Sequence, residues 1–361
     1  MKIGILGTRG IPNNYGGFEQ FAEFLAVGLS EKGHEVCVYN SHNHIYQEST
    51  WNNINIIHCF DPEDRIGTIG QFIYDLNCIR NSRKQNFDII LQLGYTSSSV
   101  WWWLLPFSKS RIITNMDGLE WMRSKYTPMV RFFLKSAEKL GAIHSDVLVA
   151  DSTGIKKHLK NKYLLESHYI PYGANIPEST NHTDLAEFNL QQFDYDMLIA
   201  RMEPENNIEA ILDGYVKSLK TRTFLVIGNM NTKFGIHIKN KFEGFNIKFV
   251  GAIYDINKLN TLRYFSNLYF HGHSVGGTNP SLLEAMASSC LICAHKNMFN
   301  QSILTNDAFY FENSTDVATV INESKKSNES AMINANLIKI RNTYSWSTII
   351  NQYEDLFKSS L

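Results

Sequence analysis

Residues 1–40, MKIGILGTRGIPNNYGGFEQFAEFLAVGLSEKGHEVCVYN, decide the fold. Ile3, Ile5 and Leu6 form a short apolar run that reads as a buried strand, and the stretch 7–17 is a turn-rich, glycine-rich loop. After it, Phe18, Phe21, Ala22, Leu25, Ala26 and Leu29 recur at helical spacing and give one apolar face. Gly33 sits where that helix should stop, and GHEVCVYN then starts a second strand. Strand, helix, strand in so short a span is a parallel β-α-β unit.

The alternation continues outward. Strands are predicted over 54–58, 87–91, 111–114, 147–150 and 168–170, with a helix over 129–140 among the patterns between them. From residue 171 to 192 it gives way to a polar stretch containing PYGANIPESTNHTD, which reads as a linker. A second series follows, with strands over 195–200, 223–227, 247–250, 268–270 and 291–294 and helices over 208–219 and 281–287. The reading is two doubly wound α/β domains, with a ligand expected in a cleft between their strand C-terminal ends.

Composition agrees. The 361 residues are 43% hydrophobic and 19% charged, enough apolar side chain for two cores, which excludes a disordered, collagen-like or coiled-coil chain. With 34 basic against 35 acidic residues the net charge is −1, and nothing in it points to nucleic acid as a partner. No run approaches the roughly 18 apolar residues of a membrane span, and the opening lacks a signal peptide's longer apolar core. Cys37, Cys59, Cys78, Cys290 and Cys293 are odd in number and scattered, as in reduced thiols of a cytoplasmic protein.

Four places carry residues suited to chemistry. Gly16 and Gly17 precede a helix, where bare backbone and helix-start N–H groups can hold an anion; a plain tight turn would use the same residues. Gly276, Gly277, Thr278 and Asn279 precede Pro280 and a helix in the same manner, and Glu284, one turn in, suits paired hydrogen bonds to sugar or ribose hydroxyls rather than being a solvated helical acid. Arg201 follows a predicted strand and offers a fork to phosphate, or else a surface ion pair to Glu203 or Glu205. Asp117 and Glu120 follow another strand in TNMDGLEW, as reactive groups or as a turn Asp and a helix-starting Glu.

Other signals are discounted. The first loop does not match G-x-G-x-x-G, and the second strand ends in Asn40 rather than an acid, against dinucleotide binding. Cys290 and Cys293 have no second pair and read as core thiols, and His271 and His273 have no third ligand at metal spacing. Trp101, Trp102 and Trp103 read as a buried crossing helix. Residues 109–162 carry eleven Lys and Arg, Lys125 included, against five acids, a solvated basic face or a surface for anionic lipid.

Taken together, YGGFEQFAEFLAVGLSEKGHEVCVY, ARMEPENNIEAI and GGTNPSLLEAMA resemble the retaining GT-B glycosyltransferases of glycosyltransferase family four across essentially the whole chain. With NMDGLEW, the last motif looks like the rhamnosyltransferase-like branch that builds bacterial surface polysaccharides. The resemblance implies an acceptor-side Rossmann-like domain over 1–172, a linker over 173–192, a nucleotide-sugar-binding domain over 193–343, and a closing helix over 344–361 that crosses back to the first domain. It implies that Gly16 and Gly17 approach the donor diphosphate or the transferred sugar. Arg201 and the backbone of Gly277, Thr278 and Asn279 would hold the diphosphate, Glu284 the ribose-type hydroxyls, and Asp117 or Glu120 would take the place of the family's first-domain His.

Two positions depart from the family pattern. Its second glutamate, eight positions before Glu284, is here Gly276, and its Lys five residues after the Arg is here Asn206. The first points to a 6-deoxy sugar such as L-rhamnose carried on dTDP; the second leaves another cation, Arg9, to serve the phosphates. The expected activity is metal-independent, cofactor-free transfer of that sugar, with retention, to a hydroxyl of a glycan or lipid-linked oligosaccharide. The protein would be cytoplasmic, with peripheral contact at the inner membrane face. The rivals are a GT-B epimerase or hydrolase and a non-catalytic nucleotide-sugar-binding subunit.

Overall fold

The computed structural model describes residues 1–14, 16–123 and 126–361; Tyr15 of the YGGFE stretch, Ser124, and Lys125 of the basic stretch lie outside the described residues. The chain divides into two compact units, Met1–Tyr172 together with Trp346–Leu361, and Gly173–Ser345.

Among the described residues the first unit is built on an eight-stranded sheet. Its strands are β1 (Lys2–Leu6), β2 (Glu35–Ser41), β3 (Thr50–Trp51), β4 (Ile54–Cys59), β5 (Ile89–Leu93), β6 (Arg111–Asn115), β7 (Val147–Ala150) and β8 (His168–Tyr169). Their order is β3-β4-β2-β1-β5-β6-β7-β8, and every pairing except β3 with β4 is parallel. Parallel strands covered on both faces read as nearly unbroken apolar runs, which is why most were visible in the sequence. β5 starts two residues later than expected, because Phe87 instead fills the space beside Gly4: a Cβ there would meet the Phe87 ring at 2.8 Å.

The helix Gly17–Glu31 packs its apolar stripe against the closing helix Trp346–Ser360. Phe24 stacks on Trp346 at 4.6 Å between ring centroids, Phe21 meets Tyr353 edge-on at 5.3 Å, and a Cβ on Gly28 would come within 2.3 Å of Ile350. Burying one such aromatic is worth about 2–3 kcal/mol, so this seam holds the last helix in the first unit. The tryptophan run departs from expectation. It forms a 3-10 helix, Ser99–Leu104, in which Trp101 donates to the Phe72 carbonyl, Trp102 stacks on His144, and Trp103 is exposed.

The second unit contains β9 (Tyr195–Ile199), β10 (Thr223–Ile227), β11 (Ile247–Phe249), β12 (Leu268–His271), β13 (Ile292–His295) and β14 (Phe309–Phe311). All pairings are parallel, in the order β11-β10-β9-β12-β13-β14. Renumbered within the unit this is 3-2-1-4-5-6, the dinucleotide-fold order, and the chain reverses direction across the sheet between β9 and β12. In the first unit the same reversal falls between β1 and β5. Leu198, Phe224, Val226, Phe270 and Phe311 fill the second core. All five cysteines are free and buried, as expected of core thiols. The polar residues after Gly173 are part of this unit: His182–Phe188 form a 3-10 helix that buries Leu185.

Candidate functional site

In a sheet of this order ligands bind beyond the C-terminal ends of the strands, at the reversal point. In the second unit that is where the segments after β9 and β12 meet. Arg201 leaves β9 exposed and, among the described residues, forms no ion pair with Glu203 or Glu205, so its guanidinium stays available. Pro204–Asn206 then make one 3-10 turn, and Asn207, at φ 50, starts the helix Ile208–Lys217. The Asn206 side chain is buried. Its Nδ2 donates to the Arg201 carbonyl at 2.7 Å, and its Oδ1 lies 2.9 Å from His273 Nδ1.

The segment after β12 is sewn to that turn. Asn207 Nδ2 donates to the Gly272 carbonyl at 2.7 Å, and the Ser274 hydroxyl donates to the Glu205 carbonyl at 2.8 Å. A Cβ on Gly272 would lie 1.9 Å from the Asn206 carbonyl oxygen, so only glycine allows this approach. Gly276 at φ +129 turns the chain through a region L side chains avoid. Gly277 and buried Thr278 follow, and Asn279 caps the helix Pro280–Ala287 by accepting from the Ser281 N–H. Glycine backbone, a buried hydroxyl and a capped helix start at a sheet reversal point are the ingredients of a phosphate cradle.

Glu284 is not a solvated helical acid. Its Oε2 pairs with Nη2 of Arg263 at 2.5 Å, and Arg263 is almost fully buried. Burial opposes the charge on that guanidinium, and the Glu284 carboxylate more than restores it. Sequence reading missed Arg263, which sits 21 residues away on another helix with nothing local to mark it. His271, at the end of β12, is buried with its Nε2 unpartnered. Burial, with His273 adding to it, pushes its imidazole down to about 3, so it is neutral at physiological pH.

The first unit's strand ends are furnished differently. Gly16 is the N-cap of Gly17–Glu31 in extended backbone, with Gly17 the first helical residue. The carboxylate of Glu19, buried in the first turn, reaches back over them: it accepts from the Arg9 N–H at 2.9 Å and from the Thr8 hydroxyl at 3.3 Å. A Cβ on Gly16 would lie 3.3 Å from its other oxygen. The chain thus supplies its own anion at this helix start. Arg9, considered above for the phosphates, forms a two-pronged pair with Glu63 at 2.9 and 3.1 Å.

Glu120 pairs with Arg123 at 2.7 Å, the placement of a structural acid. Asp117 lies among acids and phenols. Burial, with Glu120 adding to it, pushes its carboxyl up, against the opposing influence of Asp151, Arg123 and Tyr172 nearby. A buried carboxyl shifted upward at a strand end is a candidate for proton exchange. Asp151 was missed, although it follows β7 as Asp117 follows β6, and the same strand-end rule would have found it.

Among the described residues no group of three or more His, Cys, Asp or Glu side chains is placed to hold a metal ion. A surface recess of ≈ 830 Å³ against β7, β8 and the closing helix contains none of the residues proposed for donor binding or catalysis. No described helix is long and apolar enough to cross a membrane.

Residues 1–175 match a family described as a domain of unknown function (DUF1972). No curated protein matches the chain in sequence. Solved structures match it along almost its full length. Sucrose-phosphate synthase from Thermosynechococcus elongatus is 13% identical, with 99% of this chain and 98% of that one covered at a TM-score of 0.81. HepE of Anabaena, solved with UDP and glucose, is 13% identical over 99% of each chain at 0.76. The α,α-trehalose 6-phosphate synthase of Burkholderia multivorans is 11% identical over 99% of this chain and 96% of its own at 0.73. At these identities the likeness establishes the fold, which is GT-B: two α/β units on parallel sheets.

Proposed function

We propose that this GT-B chain is a retaining glycosyltransferase that moves a sugar from a nucleoside diphosphate donor to a hydroxyl of a glycan or lipid-linked oligosaccharide in surface-polysaccharide synthesis. The donor is read as dTDP-L-rhamnose. The observation that carries the proposal is the second unit's reversal point, where the turn that follows exposed Arg201 is hydrogen-bonded to the segment that leads into the glycine-rich start of Pro280–Ala287. HepE, which shares the fold, was solved with UDP and with UDP-glucose, which supports the same class of donor here.

Arg201 and the N–H groups of Gly277, Thr278 and Asn279 stabilise the charge that grows on the departing diphosphate. Glu284, oriented by Arg263, takes the ribose-type hydroxyls. Gly16 and Gly17 approach the transferred sugar rather than the diphosphate, because the Glu19 carboxylate would repel phosphate. Asp117, whose carboxyl burial pushes up, is the acceptor-side candidate for the place of the family's first-domain His; Glu120 is set aside because Arg123 engages it. With no enzymic nucleophile in the reading, retention follows from front-face attack, the leaving phosphate helping to deprotonate the acceptor, and no metal takes part.

Peripheral contact with the cytoplasmic membrane face is carried by the helix Pro128–Ile143, whose exposed Met129, Val130 and Phe132 stand on the same helix as exposed Lys135 and Lys139. The test is thermal stabilisation by dTDP, UDP and GDP, followed by transfer from the matching nucleotide sugar. Saturation at one hundred times the dissociation constant adds about 2.7 kcal/mol, and Arg201→Ala should weaken the effective diphosphate about tenfold. Binding with no transfer favours the non-catalytic subunit, and free sugar or epimer without acceptor favours the hydrolase or epimerase. Absence of any shift overturns the proposal.

A further inference from the structure

The ends of β9 and β10 are locked side by side. The Ala200 N–H donates to the Ile227 carbonyl at 3.1 Å, and a Cβ on Gly228 would lie 2.1 Å from the Ala200 carbonyl oxygen and 2.6 Å from the Met202 methyl. Beyond them the Thr232 hydroxyl donates to the Met202 carbonyl at 3.2 Å. Thr232 also caps the helix Lys233–Lys241, accepting from the Gly235 N–H at 2.9 Å. One hydrogen bond therefore joins the residue after Arg201 to the residue before Lys233.

Lys233 does nothing for its own helix. A cation in the first turn meets the positive end of the helix dipole, where an acid is favoured. This turn has no acid, and residues 227–235 contain none. Lys239 and Lys241 stand in the last turn of the same helix, where the dipole favours them. Lys233 is exposed and, among the described residues, pairs with no acid, unlike Lys241, which Glu209 and Asp213 engage. The first cations after β11 and β13, Lys258 and Lys296, are likewise engaged, by Glu187 and Glu312. Those after β9 and β10, Arg201 and Lys233, are left with their charge unanswered.

We propose that Lys233 is a donor-binding residue whose ammonium takes a diphosphate oxygen alongside Arg201. This rests on the nucleotide-sugar reading of the same strand ends. A diphosphate brings more than one negative charge, and Arg201 answers one. The two cations are suited to different parts: the guanidinium is a planar fork, and the ammonium is a point charge on a flexible stem that adjusts to what the fork leaves open. Asn206 brings no charge, and its amide is committed to the Arg201 carbonyl and to His273. Arg9 is engaged by Glu63. The second cation thus comes from the next strand of the same sheet.

The test is calorimetric titration of the full chain with UDP, dTDP and GDP at physiological ionic strength. For the base that binds, Lys233→Ala should weaken the nucleoside diphosphate about tenfold, the loss of one charge-assisted hydrogen bond. Lys239→Ala removes an equal charge from the far end of the same helix, where screening applies, and should change the affinity by less than about twofold. The unliganded Lys233→Ala chain should unfold no earlier than the unmodified one, because the lysine opposes its own helix dipole. An unchanged affinity in Lys233→Ala, an equal loss in Lys239→Ala, or a loss that comes with earlier unfolding overturns the inference and leaves the donor site standing. Failure of every nucleoside diphosphate to bind the unmodified chain overturns the donor reading, and this inference with it.

Discussion

The strand ends of the two units share a topology and differ in charge. In the second, a buried guanidinium is matched by one carboxylate, the histidine at the end of β12 is held neutral, an exposed arginine follows β9, and a glycine-rich helix start follows β12. In the first, the corresponding helix start is covered by Glu19, Arg9 and Arg123 are engaged by Glu63 and Glu120, and acids accumulate at Asp75, Asp117 and Asp151. Two sheets built on one plan thus carry opposite charge patterns, which is what the proposal of a donor on one side and an acceptor on the other draws on.

The contrast should appear as opposite responses to pH. All six tryptophans, at 51, 101–103, 121 and 346, belong to the first unit, so their fluorescence reports its unfolding alone. The largest effect is expected at Asp75, where burial, only partly offset by the Ser97 hydroxyl that donates to it at 2.6 Å, pushes the carboxyl from 3.8 up to about 7. The stability this group allows is complete below pH 3.8 and lost as pH rises through 7, a change of about 4 kcal/mol between pH 4 and pH 8. Asp75→Asn keeps the acceptor and removes the charge, so denaturant titrations followed by tryptophan should lose that slope. A slope that survives the substitution would mean the acids of the first unit are not what distinguishes it.

Next in size is Glu284→Gln. It strands the buried Arg263 charge and should cost the second unit about 3 kcal/mol in urea unfolding read by circular dichroism. Adding Arg263→Leu should recover part of that loss. No recovery would mean that Glu284 stabilises the helix for some reason other than the pair. The smallest effect is at His271, whose imidazole is held at about 3 against 6.5 in the unfolded chain. Here the unfolded chain binds the extra proton, so stability falls as pH drops below 6.5. The second unit should lose about 2 kcal/mol between pH 8 and pH 5, and His271→Phe should not. Loss of parallel size in that variant would remove the opposition between the units.

The strands and the Gly17–Glu31 helix were legible because their signal is local. Apolar runs mark covered parallel strands, and a stripe at helical spacing marks a packed helix. β14, only Phe309–Phe311, carries too few residues to stand out, and β3 is a two-residue edge strand. Candidate site positions were legible where glycine or a strand end announced them, as at Gly276 and Arg201. Their partners were not, because each pairing closes a long loop: Asn206 with His273 spans 67 positions and Arg9 with Glu63 spans 54. A single sequence records no such distances. The exposed Trp103 shows the opposite error, since an aromatic run reads as core whether or not anything covers it.

The seam of Phe21, Phe24 and Gly28 against Trp346, Ile350 and Tyr353 has a consequence in time. The first unit is begun first on the ribosome and finished last, because its closing helix is translated only after the whole second unit. At ~5–20 residues per second, that aromatic face waits for tens of seconds, roughly 15 to 60, for its cover. The sequences that complete the two units emerge in the reverse of the order in which the units begin, and a chain cut short at residue 345 and released would hold a complete second unit beside an unsealed first.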